Sequence, residues 1–303
     1  MIYLFLAIIC SSLIAIVFKV SETNNMNRYA VTTMNYFTAF IVSLFLSFKD
    51  GLFLCQPRED FFNEFYSVII NGEGIFTGYS SVIWSIIVGC IAGIFFFLSF
   101  IYYQKGVREN GVGLAGTFAK LGILVPMSLS IVLWNEFPTS VQWVGIILSI
   151  ISILIVNISF KRTSLKDIRL NLIFLFLFGG LAEFSNKIFQ KYAIVEYKSL
   201  FLFVVFFVAF LVSFITTLKR KKKVKTRDLI TGVMVGIPNL FSSFFLIMAL
   251  NYMKTSVVFP IYSAGSIVVI TIAGVLFFKE ILKRKEIISI IMTIIALVLI
   301  NIK

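Results

Sequence analysis

The sequence contains no histidine. That excludes a His-based metal site and a histidine proton relay. Cysteine is scarce: Cys10, Cys55 and Cys90 stand apart without metal-ligand spacing, and two of them lie in apolar runs where they read as packing residues. Charge is scarce as well, 14% of the 303 residues, and it is gathered between apolar stretches instead of being spread along the chain. A glycine-rich phosphate loop followed by Lys-Ser or Lys-Thr is missing, which excludes an ATP-driven pump within this chain. Strand-length alternation with turn signals, which a membrane barrel needs, is missing too. Neither a basic leader nor a small-residue cleavage site precedes the first apolar run; Met1 leads straight into "IYLFLAIICSSLIAIVF", which reads as a first membrane helix.

What is present is apolar surface. Hydrophobic residues make up 59% of the chain and the mean hydropathy is +1.01. Runs of about 20 apolar residues match the hydrocarbon thickness of a bilayer at a helical rise of about 1.5 Å per residue. The expected fold is an all-α polytopic membrane protein with spans at 2–20, 29–48, 82–103, 112–133, 141–159, 171–191, 199–218, 229–251, 256–278 and 286–302. Most connections are short. The exception, 49–81, carries five acidic residues and is too polar to span. Within it Phe61, Phe62, Phe65, Tyr66 and Ile69 recur at helical spacing, as a short helix on the membrane surface would require, or a helical lid over a cavity mouth.

The net charge of +13 follows from the loops, not from a nucleic-acid footprint. Connections after spans 1, 3, 5, 7 and 9 hold nineteen Lys and Arg residues, seven of them in "KRKKKVKTR"; the opposite side holds six. The basic side is expected in the cytoplasm, with both termini and the acidic connection outside.

The chain repeats itself. "SIVLWNEFPTSVQWVGIILSIISILIVNI" (130–158) and "GVLFFKEILKRKEIISIIMTIIALVLINI" (274–302) share their polar punctuation: 21 positions separate Glu136 from Asn157, and 21 separate Glu280 from Asn301. An ungapped offset of 144 aligns 112–158 with 256–302, and "LIAIVFK" (13–19) answers "LAEFSNK" (181–187). Residues 1–160 and 161–303 therefore read as two five-helix units. Five is odd, so the second enters the membrane from the opposite side, the arrangement of secondary transporters with a midplane site between halves.

The repeated unit resembles the drug/metabolite transporter superfamily, specifically its ten-helix EamA-type members. The residues that carry the resemblance are "GILVPMSLSIVLWNE" with "TSVQWVGIILSIISILIVN", and "SVVFPIYSAGSIVVITIAGVLFFKE" with "KRKEIISIIMTIIALVLIN". It covers essentially the whole chain and implies a secondary transporter of a small organic metabolite, by alternating access and in the direction of export. It also marks Pro126, Glu136, Pro260 and Glu280 as structural or gating positions. Two features depart from the family pattern: the 33-residue connection 49–81 and the outside termini that loop charge favours.

Glu136 and Glu280 are expected to hold tight turns by accepting hydrogen bonds from the start of the next helix, with gating or proton coupling as the other reading. Lys120 lies roughly 12 Å into the fourth span by the helical rise, either lining a cavity or snorkelling to the interface. In "GGLAEFSNKIFQK", Glu183, Asn186, Lys187 and Gln190 share one helical face, and a polar stripe in a membrane helix faces protein or water. Lys120 near Glu183, with Asn186 beside them, would neutralise itself when empty and bind a zwitterionic or charged solute when filled. Pro238 and Pro260 each remove a helix hydrogen bond in mid-membrane, next to Asn239 and Ser242 in one case and Tyr262, Ser263 and Ser266 in the other. That suggests a broken-helix site, against simple helix packing. Tyr102 and Tyr103 belong to an interfacial aromatic belt or to the cavity.

The expected partners are a small-molecule solute and membrane lipids, with protons as a coupling ion, in a monomer or homodimer of the plasma membrane; nucleic acid and cofactors are not expected. A receptor or scaffold, or an intramembrane enzyme, are the competing classes. An enzyme would need a nucleophile with its base, paired deep carboxylates or a metal set, none of which the sequence offers.

Overall fold

A computed structural model of the chain describes residues 1–24, 26–51, 61–110, 118–157, 170–220, 223–278 and 284–301. Among these there is no strand. The helices are α1 (Ile2–Thr23), α2 (Arg28–Lys49), α3 (Phe61–Phe65, widening into a π turn at Tyr66–Ile70), α4 (Gly78–Asn110), α5 (Leu124–Trp134), α6 (Ser140–Asn157), α7 (Leu170–Tyr192), α8 (Lys198–Lys219), α9 (Thr226–Tyr252), α10 (Thr255–Phe278) and α11 (Arg284–Asn301). Among the described residues, seven helical stretches are long and apolar enough to cross a bilayer: Ile2–Ser21, Arg28–Lys49, Gly78–Tyr103, Leu170–Tyr192, Val195–Lys219, Thr226–Tyr252 and Thr255–Phe277. The fourth, fifth and tenth expected spans correspond, among the described residues, to the apolar stretches Phe118–Trp134, interrupted at Gly122–Ile123, Ser140–Ile155 and Ile290–Ile300.

The distribution of side chains is the reverse of a water-soluble bundle. On α9, Thr231, Gly232, Gly236, Ser242 and Ser243 are buried, whereas Leu229, Ile230, Met234 and Ile237 are exposed. In water such an outer surface would carry a large hydrophobic penalty. In hydrocarbon it carries none, and small inward residues let helix backbones approach. The chain is an integral membrane protein.

The helices form two compact units, each drawing on both halves of the sequence. The first comprises Met1–Phe97 and Ser185–Tyr252. There α2 packs on α8 and α9, and α1 on α9. Two glycine pairs allow these approaches. Gly89 and Gly93 of α4 lie against Val204, Val205 and Val208 of α8; Gly232 and Gly236 of α9 lie against Met34, Asn35 and Thr38 of α2. Both pairs have the spacing Gly-x-x-x-Gly, and the steps from 89 to 232 and from 93 to 236 are both 143 positions. The repeat therefore extends into the third and eighth apolar segments, one residue off the register of the later ones. Phe189 and Phe201 stack at 4.5 Å in the core of this unit.

One buried carboxylate joins the starts of two helices, α2 and α9, in the first unit. Asp228 accepts from the backbone N–H of Asn27 (3.1 Å) and of Lys225 (2.8 Å). Asn27 in turn caps α2, its Oδ1 accepting from Ala30 N–H. Asp228→Ala is expected to lower stability by roughly 2–4 kcal/mol, because two charge-assisted hydrogen bonds are lost and two N–H groups are orphaned. Thermal unfolding in detergent checks this, with Asp228→Asn recovering part of the loss.

The second unit comprises Leu98–Phe184 and Met253–Lys303. Here α6 packs along α11, and α10 touches α5, α6 and α11. Gly145 lies against Ala296 and Ile300, and Ser152 and Thr293 share a buried hydrogen bond across the same pair of helices.

The helix expected in the connection 49–81 is present as α3 and its π turn. Phe61 and Phe65 pack towards Phe76 and Trp84, while Phe62, Tyr66 and Ile70 form an exposed ridge at four-residue spacing. Glu64 closes the loop behind it by accepting from the N–H and hydroxyl of Thr77.

Candidate functional site

In the second unit the fourth apolar segment is not one helix. Residues 118–121 are helical, Gly122 and Ile123 form a turn, and α5 begins at Leu124. Pro126 explains the break. It has no N–H to give the carbonyl four residues back, that of Gly122, which instead accepts from Val125 at 3.0 Å in a tighter turn. Gly122 also meets α7 backbone to backbone, across from Gly180 and the Phe176 carbonyl.

Lys120 lies two residues before this break. Its carbonyl accepts from Ser263 of α10 at 3.4 Å. Glu183 of α7 is the acidic group whose charge acts on the Lys120 ammonium. Tyr262, Ser263 and Ser266 of α10 are all buried, and Ser266 donates to the Tyr262 carbonyl at 2.7 Å. Trp134 stacks on Phe184 at 5.6 Å, next in sequence to Glu183. The second unit thus contains Lys120 and Glu183, a helix break and a row of α10 hydroxyls.

Breaks were expected at Pro238 and Pro260 and are found at neither. Both prolines lie inside continuous helices, α9 and α10. The physical difference is the residue four positions earlier. That is Gly122 for Pro126, Met234 for Pro238 and Ser256 for Pro260; Gly122, lacking a Cβ, lets the backbone of α7 approach the turn.

In the first unit, Asn239 donates to Asn35 at 3.1 Å and Ser242 donates to the Ala7 carbonyl at 3.4 Å. Both side chains tie α9 to its neighbours. Asn186 and Lys187 are buried, and Lys187 donates to Gln190 (3.1 Å), which donates to Asn251 (3.3 Å). The polar stripe of α7 therefore faces protein along these residues.

Glu136 holds a turn, but not the one expected. Its Oε2 accepts from the N–H of Thr255, at the start of α10, at 2.8 Å. Lys254 donates to the Phe137 carbonyl beside it at 3.4 Å. The next helix, α6, opens on a reciprocal capping box: Thr139 Oγ1 accepts from Gln142 N–H and Gln142 Oε1 accepts from Thr139 N–H. Asn135 takes the left-handed conformation (φ 53°) that turns the chain out of α5. Glu136→Ala is expected to cost about 1 kcal/mol through loss of an anion at a helix start. A melting-temperature series with Glu136→Asp and Glu136→Gln separates the charge from the hydrogen bond. Glu280 lies outside the described residues.

Tyr102 stacks on Phe178 (5.6 Å) and has the Lys105 ammonium over its ring at 5.0 Å; Tyr103 packs with Phe118 and Ala119 against Leu172 and Leu175. Among the described residues no three of His, Cys, Asp and Glu come together as a metal-binding group. Sequence reading missed the Gly122–Pro126 break and the two repeated glycine pairs. Each was signalled by spacing, glycine four before proline and Gly-x-x-x-Gly.

Comparison with known proteins adds the following. The family described as the EamA-like transporter family matches residues 1–158 and 170–302. Among curated proteins none matches. A solved structure, described only as a crystal structure of a protein, is similar over 99% of this chain and 95% of its own, with a TM-score of 0.70 at 13% identity. That likeness concerns the fold alone.

Proposed function

The chain belongs to the EamA-like transporter family, and on that premise we propose that it exports a small, amino-acid-like organic metabolite across the plasma membrane by alternating access. The family implies a membrane transporter of small solutes. We read its two matched stretches as five-helix repeats of opposite orientation, giving ten crossings with both termini outside.

The observation that carries the substrate reading is the helix break at Gly122–Ile123, with Lys120 beside it under the influence of Glu183. Charges inside a membrane are costly and mark solute or ion pathways. In the empty protein, Lys120 and Glu183 balance one another. A zwitterionic solute replaces that balance, its carboxylate on Lys120 and its ammonium on Glu183, with Ser263, Tyr262 and Ser266 supplying neutral polar groups. Glu183 is the group on which a coupled proton would ride.

A thermal-stability screen of the purified protein against a metabolite panel tests this reading. A solute at 100 times its Kd stabilises the folded state by about 2.7 kcal/mol. Zwitterionic hits, absent in Lys120→Ala and Glu183→Gln, are the expected result. Hits of a single charge sign that survive both substitutions would remove the pair from the site.

A further inference from the structure

We propose that the joined ends of α2, α8 and α9 form a binding surface for anionic phospholipid headgroups. Among its described residues the first unit presents six exposed cations there: Arg28 at the start of α2, Lys219 and Arg220 at the end of α8, and Lys223, Lys225 and Arg227 leading into α9. These helices pack on one another, so their ends share one side of the unit.

Three observations turn this from a loose basic loop into a built surface. First, Arg220 and Lys223, which flank the turn between α8 and α9, are each tied to the start of α2. Asn27 Nδ2 donates to the Lys223 carbonyl (3.3 Å), and the Arg220 guanidinium lies 4.3 Å from the centre of the Tyr29 ring. Second, the acid within the surface is withdrawn from it. Asp228 is buried, with Oδ1 on the Asn27 N–H and Oδ2 on the Lys225 N–H. Third, the cations are interleaved with exposed apolar side chains. Leu218 is 60% exposed and Val224 47%, and Ile215 and Ile230 continue the apolar surface away from the cations.

An RNA or an acidic protein would meet the cations but leave that apolar rim uncovered. A bilayer meets both, phosphates against the lysines and arginines and acyl chains against Leu218, Ile215 and Ile230. A juxtamembrane cluster of this size attracts anionic lipid through counterion release and Coulomb attraction within about a Debye length. Each cation near such a surface contributes about fivefold in affinity.

The test uses the full-length protein in nanodiscs of phosphatidylcholine with increasing phosphatidylglycerol, with melting temperature and native mass spectrometry of retained lipid as readouts. The surface predicts stabilisation by phosphatidylglycerol that fades as salt rises. In Lys219→Gln/Lys223→Gln/Lys225→Gln/Arg227→Gln, retention weakens roughly 600-fold if the four cations act independently. The backbone bonds of Lys223 and Lys225 are untouched by these changes. Exchanging the same four residues between Lys and Arg keeps the effect, and Lys49→Gln/Lys191→Gln leaves it intact. Equal stabilisation in the four-Gln variant, equal loss in the Lys49/Lys191 control, or the same effect from free inorganic phosphate without anionic lipid would each overturn the proposal.

Discussion

Gly180→Ala is expected to disrupt the second unit, whereas the same substitution at the adjacent Gly179 is expected to be close to neutral. A Cβ at Gly180 would overlap the Gly122 carbonyl oxygen and lie 2.5 Å from Cβ of Val125. Neither obstacle is a movable side-chain end. The first is backbone at the helix break, and the second is a branched carbon anchored one turn on. A Cβ at Gly179 would meet only Ser99 Oγ, at 3.3 Å, which can rotate away. Overpacking at Gly180 is expected to cost about 3 kcal/mol or more, a fall of roughly 10 °C in melting temperature. At Gly179 the change should stay within about 1 kcal/mol. Thermal unfolding of the two variants side by side checks the contrast, and comparable losses would mean that α7 does not approach the break as closely as described.

The second large effect concerns Lys120 and Glu183. If each charge is tolerated because of the other, removing one strands its partner in a poorly hydrated place. Breaking such a pair from one side costs roughly 3–5 kcal/mol, while replacing both members with uncharged residues is often neutral. Lys120→Met and Glu183→Gln are therefore each expected to be strongly destabilising, and the double variant to be more stable than either. The cycle isolates the pairwise interaction as the sum of the two single losses less the loss in the double variant, and it is expected to favour the pair. Stability recovers in the double variant but solute binding does not, because the solute needs both charges. Additive losses in stability would show that the two residues act independently.

The apolar segments were legible because each long run of Ile, Leu, Val and Phe has few ways to satisfy its backbone in a bilayer other than a helix. The family resemblance was legible for the same reason that the repeat was: Glu136 and Glu280 punctuate otherwise featureless apolar text. Three things were not. Breaks were expected at Pro238 and Pro260 and none near Lys120, since a proline shows its missing N–H in the sequence but not whether neighbouring helices hold it straight. Gly122, four residues before Pro126, was the distinguishing sign. The acceptor role of Glu136 was visible, but its partner at Thr255 lies 119 positions away and is chosen by tertiary packing. Asn239 and Ser242 looked like donors free for a solute; Asn35 and the Ala7 carbonyl take those bonds. A polar residue in a membrane helix announces a partner without saying whether that partner is ligand or protein.

The repeated glycine pairs raise a different point. Gly89 and Gly93 face α8, and Gly232 and Gly236 face α2. Two segments of opposite sequence halves use the same spacing for the same purpose, close helix contact. Duplication followed by divergence of the side chains around a retained contact accounts for this, and the flanking Pro238 in the second copy alone is one such divergence.

The central claim is that this chain moves a zwitterionic solute past Lys120 and Glu183. The most direct measurement is flux of a radiolabelled solute, taken from the stability screen, into proteoliposomes containing the purified wild type, Lys120→Met, Glu183→Gln or the double variant. Saturable flux in the wild type and background flux in all three variants, the double included although its stability is recovered, is the predicted result. Wild-type flux retained at full rate in the double variant would contradict it.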